Sequence, residues 1–140
     1  MTGRFFVDTN IIVYAHDLEA GDKHKIAATK LEELWNQDNP PSISVQVLQE
    51  ACAVFIKKGM PSPEIGALIE DLLQWNVVVN DQHVLLEGIR IQGKVKISIW
   101  DAFIVAAAIK SGARHIISEN LSHLGEYEGV VIINPFIKGK

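Results

Sequence analysis

Short apolar runs alternate along the chain with longer amphipathic stretches, and the alternation predicts strands and helices in turn. Phe5-Phe6-Val7 is a run of bulky side chains that breaks off at Asp8-Thr9-Asn10. Successive large apolar residues without polar alternation read as a strand covered on both faces, as in a parallel sheet. Apolar residues resume at once in Ile11-Ile12-Val13-Tyr14-Ala15, so the chain turns tightly into a further packed segment. Ser42-Ile43-Ser44, Val77-Val78-Val79, His115-Ile116-Ile117-Ser118 and Val130-Val131-Ile132-Ile133 predict the remaining strands.

The stretches between them have helical spacing. Ile26, Ala27, Leu31, Leu34 and Trp35 recur on one face behind Asp22, the expected N-cap. Ser44 caps a helix over 45–58 that stops at Gly59, and Ser62-Pro63-Glu64 opens another with Ser62 as its cap. Asn80 or Asp81 caps the next, which Gly93 ends. Ser98 starts the most apolar helix, 99–109, closed by Gly112 and expected in the core because it is apolar on nearly every side. Strands alternating with helices imply an α/β fold of three layers, with a mainly parallel central sheet of four to five strands flanked by helices. With no repeat, low-complexity tract or linker, the 140 residues suit one domain.

Composition narrows this only a little. Hydrophobic residues at 48% and charged ones at 21% are ordinary for a globular protein, and no apolar run approaches the ~20 residues that span a bilayer. The start of the chain lacks a signal-peptide pattern, and a single cysteine, Cys52, leaves no partner for an internal disulfide, so a cytoplasmic location is expected. The net charge of −4 argues against a generic nucleic-acid binder, which is usually basic. It leaves room for a nuclease, because carboxylates gathered to hold metal themselves lower the net charge.

Three carboxylates stand where candidate chemistry is expected. Asp8 ends the first strand, where open α/β sheets place their ligands. Glu50 flanks the apolar stripe of the 45–58 helix, and Asp101 lies in the first turn of the apolar helix. Burying three such charges together without a cation is prohibitive, and oxygen-only ligands point to Mg²⁺, with Mn²⁺ as the alternative. Each has an ordinary structural explanation too. Asp8 suits an Asx-type cap, Glu50 a surface acid, and Ser98-x-x-Asp101 the spacing of a capping box. Ser118-Glu119-Asn120 is also common turn chemistry.

Taken together, Val7-Asp8-Thr9-Asn10, the segment from Ser44 to Glu50, Trp100-Asp101-Ala102-Phe103, Ile117-Ser118-Glu119-Asn120-Leu121 and Ile133-Asn134-Pro135-Phe136 resemble the PIN domain, the ribonuclease fold of VapC-type toxins. The resemblance covers almost the whole chain and implies a PIN-like α/β/α fold. It makes Asp8, Glu50 and Asp101 the catalytic, metal-binding acids, supported by Thr9, Asn10 and Ser118. The family's usual fourth acid falls at Asn120, an amide here, with Glu119 beside it as a substitute; this puts a second metal in doubt. Lys94 and Lys96 are weak candidates for contact with the RNA backbone, against a reading as solvated surface lysines. The implied activity is metal-dependent hydrolysis of RNA phosphodiesters, the implied partners a small antitoxin and a second copy of the chain, with no membrane. The rival is an inactive PIN fold that binds RNA or protein, to which Asn120 gives weight. Phosphatases that open with Asp-x-Asp are excluded by Asp8-Thr9-Asn10, and the five histidines show no ligand spacing.

Overall fold

The computed structural model describes residues 4–37 and 39–137. Phe5–Val7 forms β1, flanked by parallel neighbours on both sides: β2 (Ser42–Ser44) and β4 (His115–Ile117). Beyond β2 lies β3 (Asn76–Val78), and beyond β4 lies β6 (Val130–Ile133), both parallel. A two-residue strand, β5 (Glu126–Tyr127), pairs antiparallel with β6 and closes one edge. The order among the described residues is therefore β3-β2-β1-β4-β6-β5. The sheet is mixed but mostly parallel, with one strand more than expected. Two residues held in a hairpin across Glu128 and Gly129, both at positive φ, are too few to leave an apolar run in the sequence.

The helices follow from the same patterns. After β1 come α1 (Thr9–Ala15) and α2 (Asp22–Trp35); after β2, α3 (Val45–Lys57) and α4 (Ser62–Leu72); after β3, α5 (Gln82–Lys94) and α6 (Ile99–Ser111). Ser44, Asp81 and Ser98 cap α3, α5 and α6, each accepting a backbone N–H through its side chain. Two expected caps move by one residue: Gly21 and Pro61 precede α2 and α4, so Asp22 and Ser62 are first helical residues. Gly93 lies inside α5, which runs on to Lys94. Val79 falls just past β3 and is exposed, because β3 is an edge strand with a neighbour on one side only.

Crossovers between parallel strands are right-handed. The steps β1 to β2 to β3 move one way along the sheet, while the step from β3 to β4 reverses past β1. Helices α1–α4 therefore cover one face and α5–α6 the other, in keeping with the packing of α1 on α2 and α3, and of α6 on α5, β2 and β3. The core runs through the sheet, with Phe6, Val7, Ile43, Ile116 and Ile117 fully buried between Ile11, Ile12 and Val47 and the alanine-rich α6. Helices α5 and α6 approach so closely that a Cβ on Gly88 would sit 2.3 Å from the Phe103 ring. Gly112 ends α6 at φ 82°, a left-handed position that favours glycine. The exception to the buried reading of α6 is Trp100, 62% exposed.

Candidate metal centre at the sheet switch point

Chain direction across the sheet reverses between β1 and β4, and the crevice past their carboxyl ends is where such folds bind ligands. Asp8 and Ser118 are the residues that leave those two strands. The ladder holds them in place, with Asp8 N–H donating to Ile117 O at 3.0 Å and Ser118 N–H to Ile133 O at 2.9 Å. Both are buried, and the Ser118 hydroxyl donates to Asp8 Oδ2 at 2.8 Å. Asp8 Oδ1 accepts the Thr9 N–H at 2.7 Å, so Asp8 also caps α1. The structural explanation of Asp8 is thus real, and its two oxygens are held by Thr9 of α1 and by Ser118 at the end of β4.

Glu50 reaches the same region from α3. Its Oε1 accepts the Thr9 hydroxyl at 2.6 Å, which links it through Thr9 to Asp8. Its Oε2 accepts from Gln46 Nε2 at 3.0 Å, one turn back on the same helix. Gln46 Nε2 also donates to the Trp100 carbonyl at 3.0 Å, tying α3 to the first turn of α6. Asp101, half-buried in that turn, donates its N–H to Ser98 Oγ at 3.0 Å, so the backbone half of the capping-box reading is present.

The electrostatics are those of uncompensated charge. Burial pushes the Asp8 carboxyl up to about 6; hydrogen bonds from Ser118 and Thr9 pull it down in part, and the charges of Asp101 and Glu50 add to the rise. Burial also raises the Asp101 carboxyl, again with Glu50 adding, against the lowering influence of a hydrogen bond with Ser98 and, to a lesser degree, of His123. Among the described residues no lysine or arginine pairs with Asp8, Glu50 or Asp101. Glu50 adds to the rise of both Asp8 and Asp101, and the three acids form an oxygen-only donor set whose chemistry fits a hard dication. The side chains are not closed around one point: among the described residues no three of His, Cys, Asp and Glu are grouped tightly enough to hold one ion.

The remaining candidates divide. Thr9 and Ser118 hold Glu50 and Asp8 by hydrogen bonds, while Asn10 is half-buried in the first turn of α1. Asn120 is exposed just beyond Ser118. Glu119 is drawn elsewhere, with Oε1 accepting from Tyr14 OH at 2.8 Å and Oε2 from Lys23 Nζ. Lys94 and Lys96 are exposed around the end of α5, and Lys94 contributes its charge to Glu128, on the β5–β6 turn. Two participants carry no sequence signal as strong as the acids. Gln46 is legible only as the i, i+4 partner of Glu50. His123 acts on Asp101 from a 3-10 turn (Ser122–Leu124) and is brought there by tertiary folding alone.

The fold thus places a buried aspartate at the switch point of an α/β sheet, with further acids approaching from two helices. Residues 5–123 match the PIN domain family model, and the chain belongs to that family. Its members are typically metal-dependent ribonucleases. Solved structures agree on the fold. A toxin–antitoxin complex from Klebsiella pneumoniae superposes with a TM-score of 0.70 at 21% identity, over 94% of this chain and 97% of that one. VapC20 of Mycobacterium tuberculosis, a toxin that cleaves the sarcin-ricin loop, gives 0.68 at 20% identity, over 89% and 97%. DNA-bound VapBC from Salmonella typhimurium gives 0.68 at 15%, over 96% and 99%. No curated protein sequence matches significantly. No helix of the described residues is long and apolar enough to cross a membrane.

Proposed function

We propose that the chain, acting as a single PIN-like domain in the cytoplasm, is a Mg²⁺- or Mn²⁺-dependent endoribonuclease and the toxin of a VapBC-type pair. A small antitoxin would be its regulator and a second copy its partner in a homodimer. The observation that carries this reading is the Asp8 carboxylate, buried at the switch point beside two other acids and, among the described residues, paired with no lysine or arginine. Asp8, Glu50 and Asp101 would hold the ion, with Asn120 offering a neutral carbonyl oxygen. A bound Mg²⁺ or Mn²⁺ supplies Lewis acidity towards a phosphodiester and acidifies water. The chain's own part is positional. Ser118 and the Thr9 N–H orient Asp8, Thr9 and Gln46 orient Glu50, and the sheet end keeps Asp8 away from bulk water.

The test is cleavage of structured RNA by purified protein with Mg²⁺ or Mn²⁺, repeated with Asp8→Asn and Asp101→Asn. Metal-dependent cleavage lost in both variants supports the assignment, whereas equal cleavage by all three proteins points to a contaminant. The second reading, an inactive PIN fold that binds RNA or protein, draws on the amide at Asn120 and the open arrangement of the acids. RNA binding without cleavage in either metal would favour it.

A further inference from the structure

A cleft of about 560 Å³ adjoins the acids, between the start of α3, the start of α5 and the first turns of α6. One wall is aromatic. Trp100, the residue immediately before Asp101, meets Phe103 edge to face, with ring centroids 5.8 Å apart at 74°, and Leu85 completes the apolar side. Trp100 is 62% exposed and Leu85 49%, so this apolar wall is open to solvent. The opposite rim is built from amides: Gln46, Gln49, Asn80 and Gln82. Asn80 Nδ2 donates to Gln46 Oε1 at 3.0 Å, and Gln46 is the residue that holds Glu50, so cleft and acids share a side chain. The one acid on the rim, Asp81, is occupied by Lys110 and by the Val84 N–H.

An exposed indole in a cleft also lined by uncharged amide donors and acceptors suits a planar heterocycle that stacks and presents hydrogen-bonding edges. Phosphate is not the group it suits, because no lysine or arginine among the described residues lines the cleft. We infer that this cleft is a nucleobase subsite, in which one unpaired base of the RNA stacks on Trp100 while the Gln49 and Gln82 amides read its edge, with the adjoining phosphodiester directed to the acids. The inference rests on the ribonuclease reading for the identity of its ligand. Gln46, which lines the cleft and bonds Glu50, and Trp100, one residue before Asp101, place the cleft beside the candidate centre, which a protein-docking surface would not require.

Single-stranded RNA octamers, one for each base, are titrated onto the full chain in EDTA, where no cleavage occurs, and tryptophan fluorescence is followed for the wild type, Trp100→Phe, Trp100→Ala and Gln49→Ala/Gln82→Ala. Quenching that disappears in Trp100→Phe is expected, with binding about tenfold weaker in Trp100→Ala. The double amide variant should bind all octamers but with a narrower spread of affinities between bases. Circular dichroism and sedimentation accompany each variant. Equal binding and equal discrimination by all four folded proteins would overturn the subsite, and so would a Trp100→Ala variant whose oligomeric state changes while its RNA affinity does not. Failure of the ribonuclease reading is separate: quenching that depends on Trp100 in a protein that cleaves no RNA in Mg²⁺ or Mn²⁺ keeps the subsite and removes the enzyme. Cleavage insensitive to Trp100 and to both amides does the reverse.

Discussion

Asp8 and Glu119 lie on either side of the same residue in space and in sequence respectively, since Ser118 bonds the first and precedes the second. Their electrostatic states are opposite. Glu119 has Lys23 and Tyr14 on its two oxygens, and those bonds hold its carboxyl below the ordinary value despite partial burial. Asp17, Asp81, Glu87 and Glu128 are likewise lowered, each paired to Lys58, Lys110 or Arg90. At the switch point, Asp8 and Asp101 are raised, with hydroxyls, N–H groups and one another for company. Among the described residues, cations pair with acids at the periphery and none pairs with an acid where the sheet order reverses. An unpaired buried carboxylate weakens a protein unless something outside the chain neutralises it. The contrast therefore marks the place where a positive ligand would relieve the repulsion between like charges.

The largest effect that can break this contrast is on activity. Asp8→Asn keeps the shape and removes the charge, so RNA cleavage is expected to fall by more than the roughly 10–100-fold that loss of an outer-shell partner costs a metal site. Its unfolding midpoint in EDTA at neutral pH should not drop, and a variant that cleaves normally sinks the assignment.

Next in size is a pH-dependent stability difference. A carboxyl raised in the folded state binds its proton more tightly folded than unfolded. Its contribution is present in full below pH about 4 and is lost as pH rises through about 6. Measured in EDTA by denaturant unfolding, the stability of the wild type relative to Asp8→Asn should fall by about 3 kcal/mol between those limits. The peripheral acids give the opposite slope in both proteins and cancel in the difference. Mg²⁺ or Mn²⁺ at pH 8 should restore stability to the wild type alone. A difference that stays flat with pH would falsify the uncompensated charge at Asp8.

Ser118→Ala sharpens the comparison at a smaller scale. It removes the hydroxyl that donates to Asp8 Oδ2 and accepts the Leu121 N–H at 3.0 Å, both buried. A cost of about 1–3 kcal/mol is expected, read from the unfolding midpoint in denaturant. The Asp8 carboxyl should also rise further, visible as a shift of the pH transition just described to higher pH. The smallest effect belongs to Glu119→Gln, which breaks a pair whose lysine is 43% exposed. No more than ~1 kcal/mol should be lost, and metal affinity measured by calorimetry should not change. A marked loss of affinity would move Glu119 from the compensated acids into the site.

Much of this was legible in the chain itself. Unbroken runs such as Phe5-Phe6-Val7 determine buried parallel strands because no alternation leaves a face for water. Ser44, Asp81 and Ser98 determine where helices begin, because each side chain satisfies an N–H one turn on. The end of β1 could be named because a carboxylate stops an apolar run abruptly, whereas β4 ends at Ile117, one residue before the expected Ser118. What tertiary structure alone decided was partnership. The edge strand β5 depends on a hairpin to β6, and the exposure of Trp100 depends on where α5 crosses α6. Glu119 and Asp8 are equally acidic as letters. Only packing brings Lys23 from α2 to one and leaves the other among like charges, because Coulomb energy depends on distances between residues far apart in the chain.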